Sequence, residues 1–254
     1  MKALFASLLM AATALPAFAM PSADGWEAVL EERLSEPRGS DGVRTFDYAG
    51  FTADAEDRAA LDAYIAALSE AGEPEDDAEA AAYWANLYNA LTIEVIADNY
   101  PVTSIRDIKS GLFSIGPWKK DVVTVAGEGE LSLDNIEHDI LRKRYPSPHV
   151  HYMVNCASVG CPNLQPKLWQ GATLDADREA AAREFIASPR GVRVDGNGRV
   201  TVSSIYKWFE EDFGGSKSGV IDHIKAYADS YKQTGLMDRT KYDDHGYDWS
   251  LNGG

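Results

Sequence analysis

Cys156 and Cys161 are the only two cysteines of this 254-residue chain, and four residues separate them. Alternating apolar and polar residues from His149 to Cys156 predict a strand, with Cys156 at its end on the apolar face. A thiol in that position, beside the N–H groups of the following turn, is typical of a nucleophile with an adjacent oxyanion site. An inert buried thiol and a disulfide with Cys161 are the alternatives.

His138 is the predicted general base for that thiol. It lies on a stretch, residues 132–145, that begins with a serine cap and has apolar residues at helical spacing. Asp134 lies one helical turn before His138, and a carboxylate that holds one imidazole nitrogen leaves the other free to accept a proton. His151 is disfavoured as the base because the predicted strand turns it away from Cys156.

Glu137 falls near the middle of the apolar face of the same predicted helix. A carboxylate in that position has to be hydrogen-bonded, paired with a cation or protonated. It therefore either orients His138 or pairs with an arginine such as Arg106 or Arg142. In the second case, Asp134 and His138 form an ordinary pair on the surface.

Asn86 and Asn89 lie three residues apart in the clearest predicted helix, residues 76–99, and therefore share one face. Asparagine is a poor helix former because its amide competes for backbone hydrogen bonds. Two of them in one helix indicate amides with specific partners. They either stabilise charge on a reacting group or hydrogen-bond the backbone of a loop in the core.

The remaining motifs predict neither a cofactor nor a metal. His149 and His151 share a face of the predicted strand, but no acidic third ligand follows at a metal-binding spacing. The sequence has neither a phosphate-binding glycine loop nor the Gly-x-Ser-x-Gly turn of serine α/β-hydrolases. Nucleotide binding and serine-dependent hydrolysis are therefore disfavoured.

The chain is strongly acidic, with 40 acidic residues against 24 basic ones and a formal net charge of −16. Such a surface repels the phosphates of nucleic acid and the headgroups of anionic lipid, so neither is an expected partner. A small molecule, a peptide or a component of the cell envelope is the expected substrate.

The first nineteen residues are typical of a signal peptide. Lys2 precedes an apolar run from Leu4 to Leu15, and Ala17-Phe18-Ala19 has small residues where a signal peptidase reads. Cleavage near Ala19 would export the chain, to either the periplasm or the medium. No later stretch reaches the ~20 apolar residues that a membrane-spanning helix needs, so membrane insertion is not expected.

Predicted helices and hairpins come in separate runs, without the regular strand–helix–strand order of a parallel sheet. Glycine-rich turns at 127–129 and 195–198 mark two hairpins. We expect an α+β fold, a single compact domain whose helices pack on short antiparallel strands. The expected division is a signal peptide at 1–19, a helical segment at 20–74 packed on the main domain, and that domain at 75–252.

Five motifs resemble those of the domain of unknown function 547 family, over roughly residues 75–252. They are Tyr83-Trp84-Ala85-Asn86-Leu87-Tyr88-Asn89-Ala90, Ile136-Glu137-His138-Asp139-Ile140-Leu141-Arg142, Asn155-Cys156-Ala157-Ser158-Val159-Gly160-Cys161-Pro162, Trp208-Phe209-Glu210-Glu211-Asp212-Phe213 and Tyr247-Asp248-Trp249-Ser250-Leu251-Asn252. The family has no settled activity, so the resemblance implies no substrate. It does add weight to the candidates inside its motifs, namely Asn86, Asn89, Glu137, His138 and Cys156. Some members have serine where this chain has Cys161, which implies that Cys161 is the more dispensable thiol.

A cysteine, a histidine and amide side chains on an α+β scaffold also look similar to papain-like or transglutaminase-like thiol enzymes. His138 precedes Cys156 here, which is the reverse of the usual order in those enzymes. The arrangement is therefore either a circular permutation of theirs or a different one.

Two functions remain open on the sequence. The first is a thiol-dependent hydrolase or acyl transferase that uses the cysteine and histidine described above. The second is a non-catalytic binding or assembly module with a structural Cys156–Cys161 disulfide. A cleft lined by aromatic residues such as Trp84, Tyr88 and Trp118, without a histidine–cysteine contact, would favour the second function.

Overall fold

The computed structural model describes residues 23–109, 111 and 115–253, so the predicted signal peptide lies outside the described residues. The α-helices, in chain order, are α1 (Asp24–Arg33), α2 (Tyr48–Ala53), α3 (Ala55–Ala71), α4 (Asp77–Asn99), α5 (Arg142–Arg144), α6 (Val150–Met153), α7 (Leu174–Ala187), α8 (Ser204–Trp208), α9 (Lys217–Tyr227) and α10 (Ser230–Leu236). The strands are β1 (Asp121–Val125), β2 (Gly129–Ser132), β3 (Val192–Val194), β4 (Val200–Ser203) and β5 (Asp244–Gly246). Short 3₁₀ turns occupy Ile105–Asp107 and Gly171–Thr173, and a π-helix occupies Asn135–Leu141.

Helix α4 runs through the centre of the molecule and confirms the prediction of a helix at 76–99. The Asp76 carboxylate begins it by accepting hydrogen bonds from the N–H groups of Ala78 and Glu79, at 3.0 and 3.1 Å. The helix ends at Asn99 because Pro101 forces the residue before it into an extended conformation. Almost every residue from 80 to 97 is buried, so both sides of the helix pack against protein.

Two apolar clusters meet at α4. One contains side chains of α1, α3 and the π-helix and takes Tyr83 and Trp84 from α4. The other contains side chains of α7, β4 and α9 and takes Ala81 and Ala85 from α4. The side of α4 that faces the second cluster thus carries small alanines, and the side that faces the first carries large aromatics.

The strands form two small sheets. β1 pairs with β2 and β3 with β4, both antiparallel, as the two glycine-rich turns predict. β5 then pairs with β4 in parallel, which the sequence analysis did not predict. Helices that pack on small, mostly antiparallel sheets confirm the α+β class.

The strand predicted from His149 to Cys156 is wrong. Residues 150–153 form the helical turn α6, and the chain becomes extended only at Val154. All four residues of α6 are buried, polar and apolar alike. The alternation therefore did not separate a solvent face from a core face, and a short apolar run of that kind fits either kind of element.

The predicted helix at 132–145 forms, but with a wider turn over most of its length. Ser132 caps it as expected: the Ser132 hydroxyl accepts from the Asn135 N–H at 3.2 Å, and the Asn135 amide oxygen accepts from the Ser132 N–H at 3.0 Å. Residues 135–141 then follow a π-helical path. Such turns are rare and occur frequently at functional sites.

Among the helices of residues 23–109 and 115–253, none is both long and apolar enough to cross a bilayer.

Candidate functional site

A cavity of about 180 Å³ lies where α4, the π-helix, the cysteine-bearing loop, α8 and the C-terminal segment meet. Its walls are mostly apolar and aromatic, with a few titratable side chains. The lining consists of Tyr88, Trp118, Asp134, Glu137, His138, His151, Val154, Cys156, Cys161, Ile205, Trp208, Phe209, Tyr247 and Trp249. Four of the six predicted site residues, Cys156, His138, Glu137 and Asp134, are among them.

The cysteine loop, residues 155–162, is folded around the buried side chain of Asn155. The Asn155 amide oxygen accepts from the N–H of Ala157 at 2.8 Å, and its amide nitrogen donates to the carbonyl of Pro162 at 2.7 Å. Ala157 has φ 57°, a left-handed conformation that is unusual for a residue other than glycine. One side chain therefore spans the loop from its beginning to its end and holds a strained turn directly after Cys156.

The C-terminal segment clamps the outer side of this loop. Backbone hydrogen bonds run from Val159 N to Ser250 O and from Gly160 N to Asp248 O, both at 2.8 Å. A Cβ atom on Gly160 would lie 2.9 Å from the backbone nitrogen and oxygen of Asp248. Only glycine allows the two segments to lie this close.

The two thiols are free and share a network of short hydrogen bonds. Tyr247 Oη lies 3.0 Å from each sulfur, and Ser158 Oγ lies 3.2 Å from Cys156 Sγ. The Cys156 N–H donates to Cys161 Sγ at 3.1 Å, and the two thiols also hydrogen-bond to each other. The sequence analysis left a disulfide open, and the structure instead shows a hydrogen-bonded dithiol.

This network favours one negative charge shared by the pair. Burial alone would raise the pKa of Cys161, but donors on Cys156, Tyr247 and Ser158 outweigh it and lower that pKa to about 7. The pKa of Cys156 is raised well above its ordinary value because its thiol hydrogen-bonds to Cys161 and is itself buried. A second proton is therefore hard to remove, and the pair acts as a monoanion near neutral pH.

The two cysteines differ in access to the cavity. Cys156 is partly exposed, whereas Cys161 is buried with 5% of its surface exposed. The N–H groups of Cys156 and Ala157 have acceptors within the loop, and that of Gly160 donates to Asp248 in the C-terminal segment, so these three are not available for the expected oxyanion site. The hydroxyl of Tyr247 lies 3.0 Å from the Cys156 sulfur.

His138 lies between two carboxylates in the same cavity. Its Nε2 is 3.9 Å from Asp134 Oδ1 and its Nδ1 is 4.0 Å from Glu137 Oε1, so each distance fits an ion pair rather than a hydrogen bond. Arg142 Nη1 lies 3.5 Å from Nδ1. The side chain of His138 is 36% exposed, and no hydrogen bond to Cys156 is found among the described residues.

Glu137 hydrogen-bonds to the hydroxyl of Tyr88 and is 13% exposed. Burial first, and the nearby carboxylate second, raise the pKa of Tyr88 well above its ordinary value, so the phenol stays protonated and donates. Neither Arg106 nor Arg142 is its partner. Arg106 lies 5.2 Å above the ring of Trp249, and Arg142 binds Asp212 through Nε at 2.6 Å.

His151 is a site residue that the sequence analysis placed elsewhere. Its Nε2 lies 2.7 Å from Asp212 Oδ2, its ring stacks on Phe209 at 4.3 Å, and it lines the cavity. Burial alone would raise the pKa of Asp212, but hydrogen bonds from His151 and Arg142 outweigh it and hold that pKa well below its ordinary range. The helical turn of α6, in place of the expected strand, brings the imidazole to the same cavity as Cys156.

Asn86 and Asn89 do not line the cavity. Asn86 binds the backbone of Trp169 through both ends of its amide, at 2.9 and 3.0 Å. Asn89 donates to the carbonyl of Met153 at 2.9 Å and accepts from the N–H of Asn155 at 2.8 Å. Both contacts match the alternative in which the amides hold loop backbone, and Asn89 thereby fixes the start of the cysteine loop.

The mouth of the cavity is a group of aromatic rings. Trp208 packs on Tyr247 at 4.9 Å and on Trp249 at 5.6 Å, and Trp118 closes on Trp249 at 5.7 Å. Trp208 remains 47% exposed. Trp84, which was expected in such a cleft, is instead fully buried beside Tyr83. An exposed indole at a cavity mouth is typical of a surface that binds a partner or substrate.

His149 lies away from the cavity and hydrogen-bonds to Tyr227 Oη at 2.8 Å and to Ser147 Oγ at 3.2 Å. Within the part of the chain that the structure describes, no group of three histidine, cysteine or acidic side chains is arranged to hold a metal ion.

The fold and site define an α+β protein with a dithiol at the floor of an aromatic cavity. Residues 74–186 match the family model described as "Protein of unknown function, DUF547". This stretch is a domain of that family, and it includes α4, the π-helix and both cysteines. Neither the curated proteins nor the solved structures include a match to the chain. The papain-like arrangement therefore stays a prediction.

We expect Gly160→Ala to lower the free energy of unfolding by about 1–3 kcal/mol, because the new methyl group overlaps the backbone of Asp248 and forces the clamp apart. Urea denaturation followed by circular dichroism measures the change. Gly196→Ala is the matched control, since a Cβ there meets nothing within 4 Å, and its effect should stay within ~0.5 kcal/mol. Equal effects in both variants would contradict the close packing of the clamp.

Tyr247→Phe should raise the pKa of the dithiol by about 1–2 units, because it removes a hydrogen-bond donor from a buried thiolate. The thiolate is the reactive form. As the pH is raised, the rate of alkylation by iodoacetamide should therefore begin to increase at a higher pH in the variant than in the wild type. Tyr231→Phe, at an exposed ring remote from the site, is the control. An unchanged pH profile would show that Tyr247 does not stabilise the thiolate.

Proposed function

We propose that this protein is a thiol-dependent hydrolase or acyl transferase that acts after export, in the periplasm or outside the cell. The observation that carries the proposal is the dithiol: two cysteines, hydrogen-bonded by Tyr247 and Ser158, line a cavity that also contains two imidazoles. Reactive cysteines need such a partly exposed site where the thiolate is stabilised.

Cys156 is the nucleophile in this proposal because it is the more exposed of the two cysteines. When its proton shifts to Cys161 along their hydrogen bond, Cys156 carries the charge and attacks the carbonyl carbon of an acyl substrate. A thioester bond forms, and the leaving group departs with a proton. The charge is already present in the thiol pair, so no imidazole has to touch Cys156 to generate it.

His138 donates a proton to the leaving group. It then accepts a proton from the incoming water or acceptor. It is 36% exposed, so a bound substrate can reach it, and it lies between the carboxylates of Asp134 and Glu137. His151 is buried under Phe209 and held by Asp212, so we assign it a positioning role beneath the reacting groups.

A binding module is the second candidate. It is favoured by the aromatic mouth around Trp208 and by the lack of a hydrogen bond between His138 and Cys156 in the described structure. In that case the cavity would hold its ligand by stacking on Trp208 and Trp249, and the thiols would have no chemical role.

A simple acyl donor separates the two candidates. We expect p-nitrophenyl acetate to transfer one acetyl group to Cys156, visible by intact mass and peptide mapping, faster than it acetylates a free cysteine at pH 7. Cys156→Ala should take up none while it retains the wild-type melting temperature. If the wild type reacts no faster than free cysteine, the binding module becomes the better interpretation.

His138→Gln should slow release of the acetyl group from Cys156 by a factor on the order of 10², because the water that hydrolyses the thioester loses its general base. The rate is measured as loss of the acetyl adduct over time. His245→Gln is the control, since His245 lies on β5 and hydrogen-bonds to Ser204 at 2.9 Å, outside the cavity lining. Equal rates in the wild type and His138→Gln would remove His138 from the mechanism.

A further inference from the structure

In the proposed acyl-transfer steps Cys161 only accepts a proton, yet its position is specific. Its Sγ accepts a hydrogen bond from the Cys156 N–H at 3.1 Å. Tyr247 Oη lies within hydrogen-bond distance of both Cys161 Sγ and Cys156 Sγ. Arg190, which is half-buried and lies over the ring of Phe185, donates to the carbonyls of Val159 and Cys161 and holds this end of the loop. A residue that only filled space would not need polar contacts to its sulfur from the Cys156 N–H and the Tyr247 hydroxyl.

We propose that Cys156 and Cys161 are a redox pair, in which a small disulfide converts the reduced dithiol reversibly into an intramolecular disulfide. Tyr247 Oη lies 3.0 Å from each sulfur, and Cys161 Sγ also accepts from the Cys156 N–H at 3.1 Å. Both cysteines lie on one short loop, so closing the bond requires movement mainly within that loop. The pair thus has a partly exposed attacking cysteine, Cys156, and a buried resolving cysteine, Cys161, the arrangement that thiol–disulfide exchange requires.

The exchange runs in two steps with the small disulfide cystamine as oxidant. Cys156 thiolate attacks one cystamine sulfur, the cystamine S–S bond breaks, and a mixed disulfide forms as one cysteamine leaves. Cys161 thiolate then attacks Cys156 Sγ, and the second cysteamine leaves. Two electrons pass from the protein to cystamine, and the two thiol protons end on the two cysteamine molecules.

The ring of hydrogen bonds around the sulfurs favours the second step. Tyr247 is held protonated, because burial and the neighbouring thiols raise its pKa well above the ordinary value. Its hydroxyl can therefore donate to whichever sulfur carries the charge while the mixed disulfide is resolved. Cystamine is small and cationic, which suits a cavity of about 180 Å³ lined by Asp134 and Glu137.

The disulfide would also remove the nucleophile of the proposed acyl transfer, and this consequence rests on the proposed function. The oxidised protein would take up no acetyl group from p-nitrophenyl acetate until a reductant restores the dithiol. The chemistry of the pair itself does not depend on any acyl substrate.

The test treats the reduced protein with cystamine at pH 7, quenches it with acid and measures intact mass. We expect the wild type to lose the mass of two hydrogen atoms, without a lasting adduct, and to regain them with dithiothreitol. Cys161→Ser should instead keep one cysteamine on Cys156, because no second thiol resolves the mixed disulfide. Cys156→Ser should react at least about tenfold more slowly, since Cys161 is buried. Cys161→Ala replaces Cys161→Ser if that variant does not fold.

A wild type that keeps the cysteamine adduct as Cys161→Ser does, or that stays fully reduced, would overturn the redox pair. The outcome is distinguishable from failure of the proposed function. If Cys156 accepts acetyl groups but no internal disulfide forms, the acyl-transfer proposal stands and the redox pair falls. If the disulfide forms but no acetyl group is accepted, the redox pair stands alone.

Discussion

The geometry of the site depends on the hydrogen bonds that close the loop at 155–162. Asn155 spans the loop with its amide, and Asn252 in turn donates to the Asn155 amide oxygen at 3.3 Å and accepts from Tyr48 at 3.2 Å. These groups are buried, so each unmade hydrogen bond would cost the desolvation of a polar group. The network therefore has one satisfied arrangement, and that arrangement places both sulfurs at the cavity floor.

Three distant parts of the chain meet in this network. Tyr48 comes from α2, Asn155 from the middle of the chain and Asn252 from its C-terminal segment. Phe46 extends the link, because its N–H donates to the carbonyl of Asn252 at 2.9 Å. The helices before residue 74 are thus bonded to the C-terminal segment that clamps the cysteine loop, and they are part of what shapes the site.

Sequence patterns predicted which candidate residues lie near one another better than how their side chains are oriented. Asp134, Glu137 and His138 could be placed because helical spacing is a strong local signal, and the π-helical turn changes their directions without moving them from one face. The orientation of His151 was predicted wrongly, because alternation of apolar and polar residues in a fully buried run does not tell which way a side chain points. Asp212 lies in the motif from Trp208 to Phe213. Only the fold shows that its carboxylate hydrogen-bonds to His151, 61 residues earlier.

The contact of Tyr247 with the two thiols could not be predicted from the sequence. Tyr247 is 91 residues from Cys156, and no local pattern connects a tyrosine in a C-terminal motif with a thiol in an internal loop. Its contact exists because Gly160 lets the C-terminal backbone lie against the loop, which brings the phenol between the two sulfurs. The same contact stabilises the thiolate, because a phenol that cannot ionise at neutral pH can only donate to it. Long-range backbone packing thus determines the ionisation of the dithiol, and the residue types at 156 and 161 alone do not.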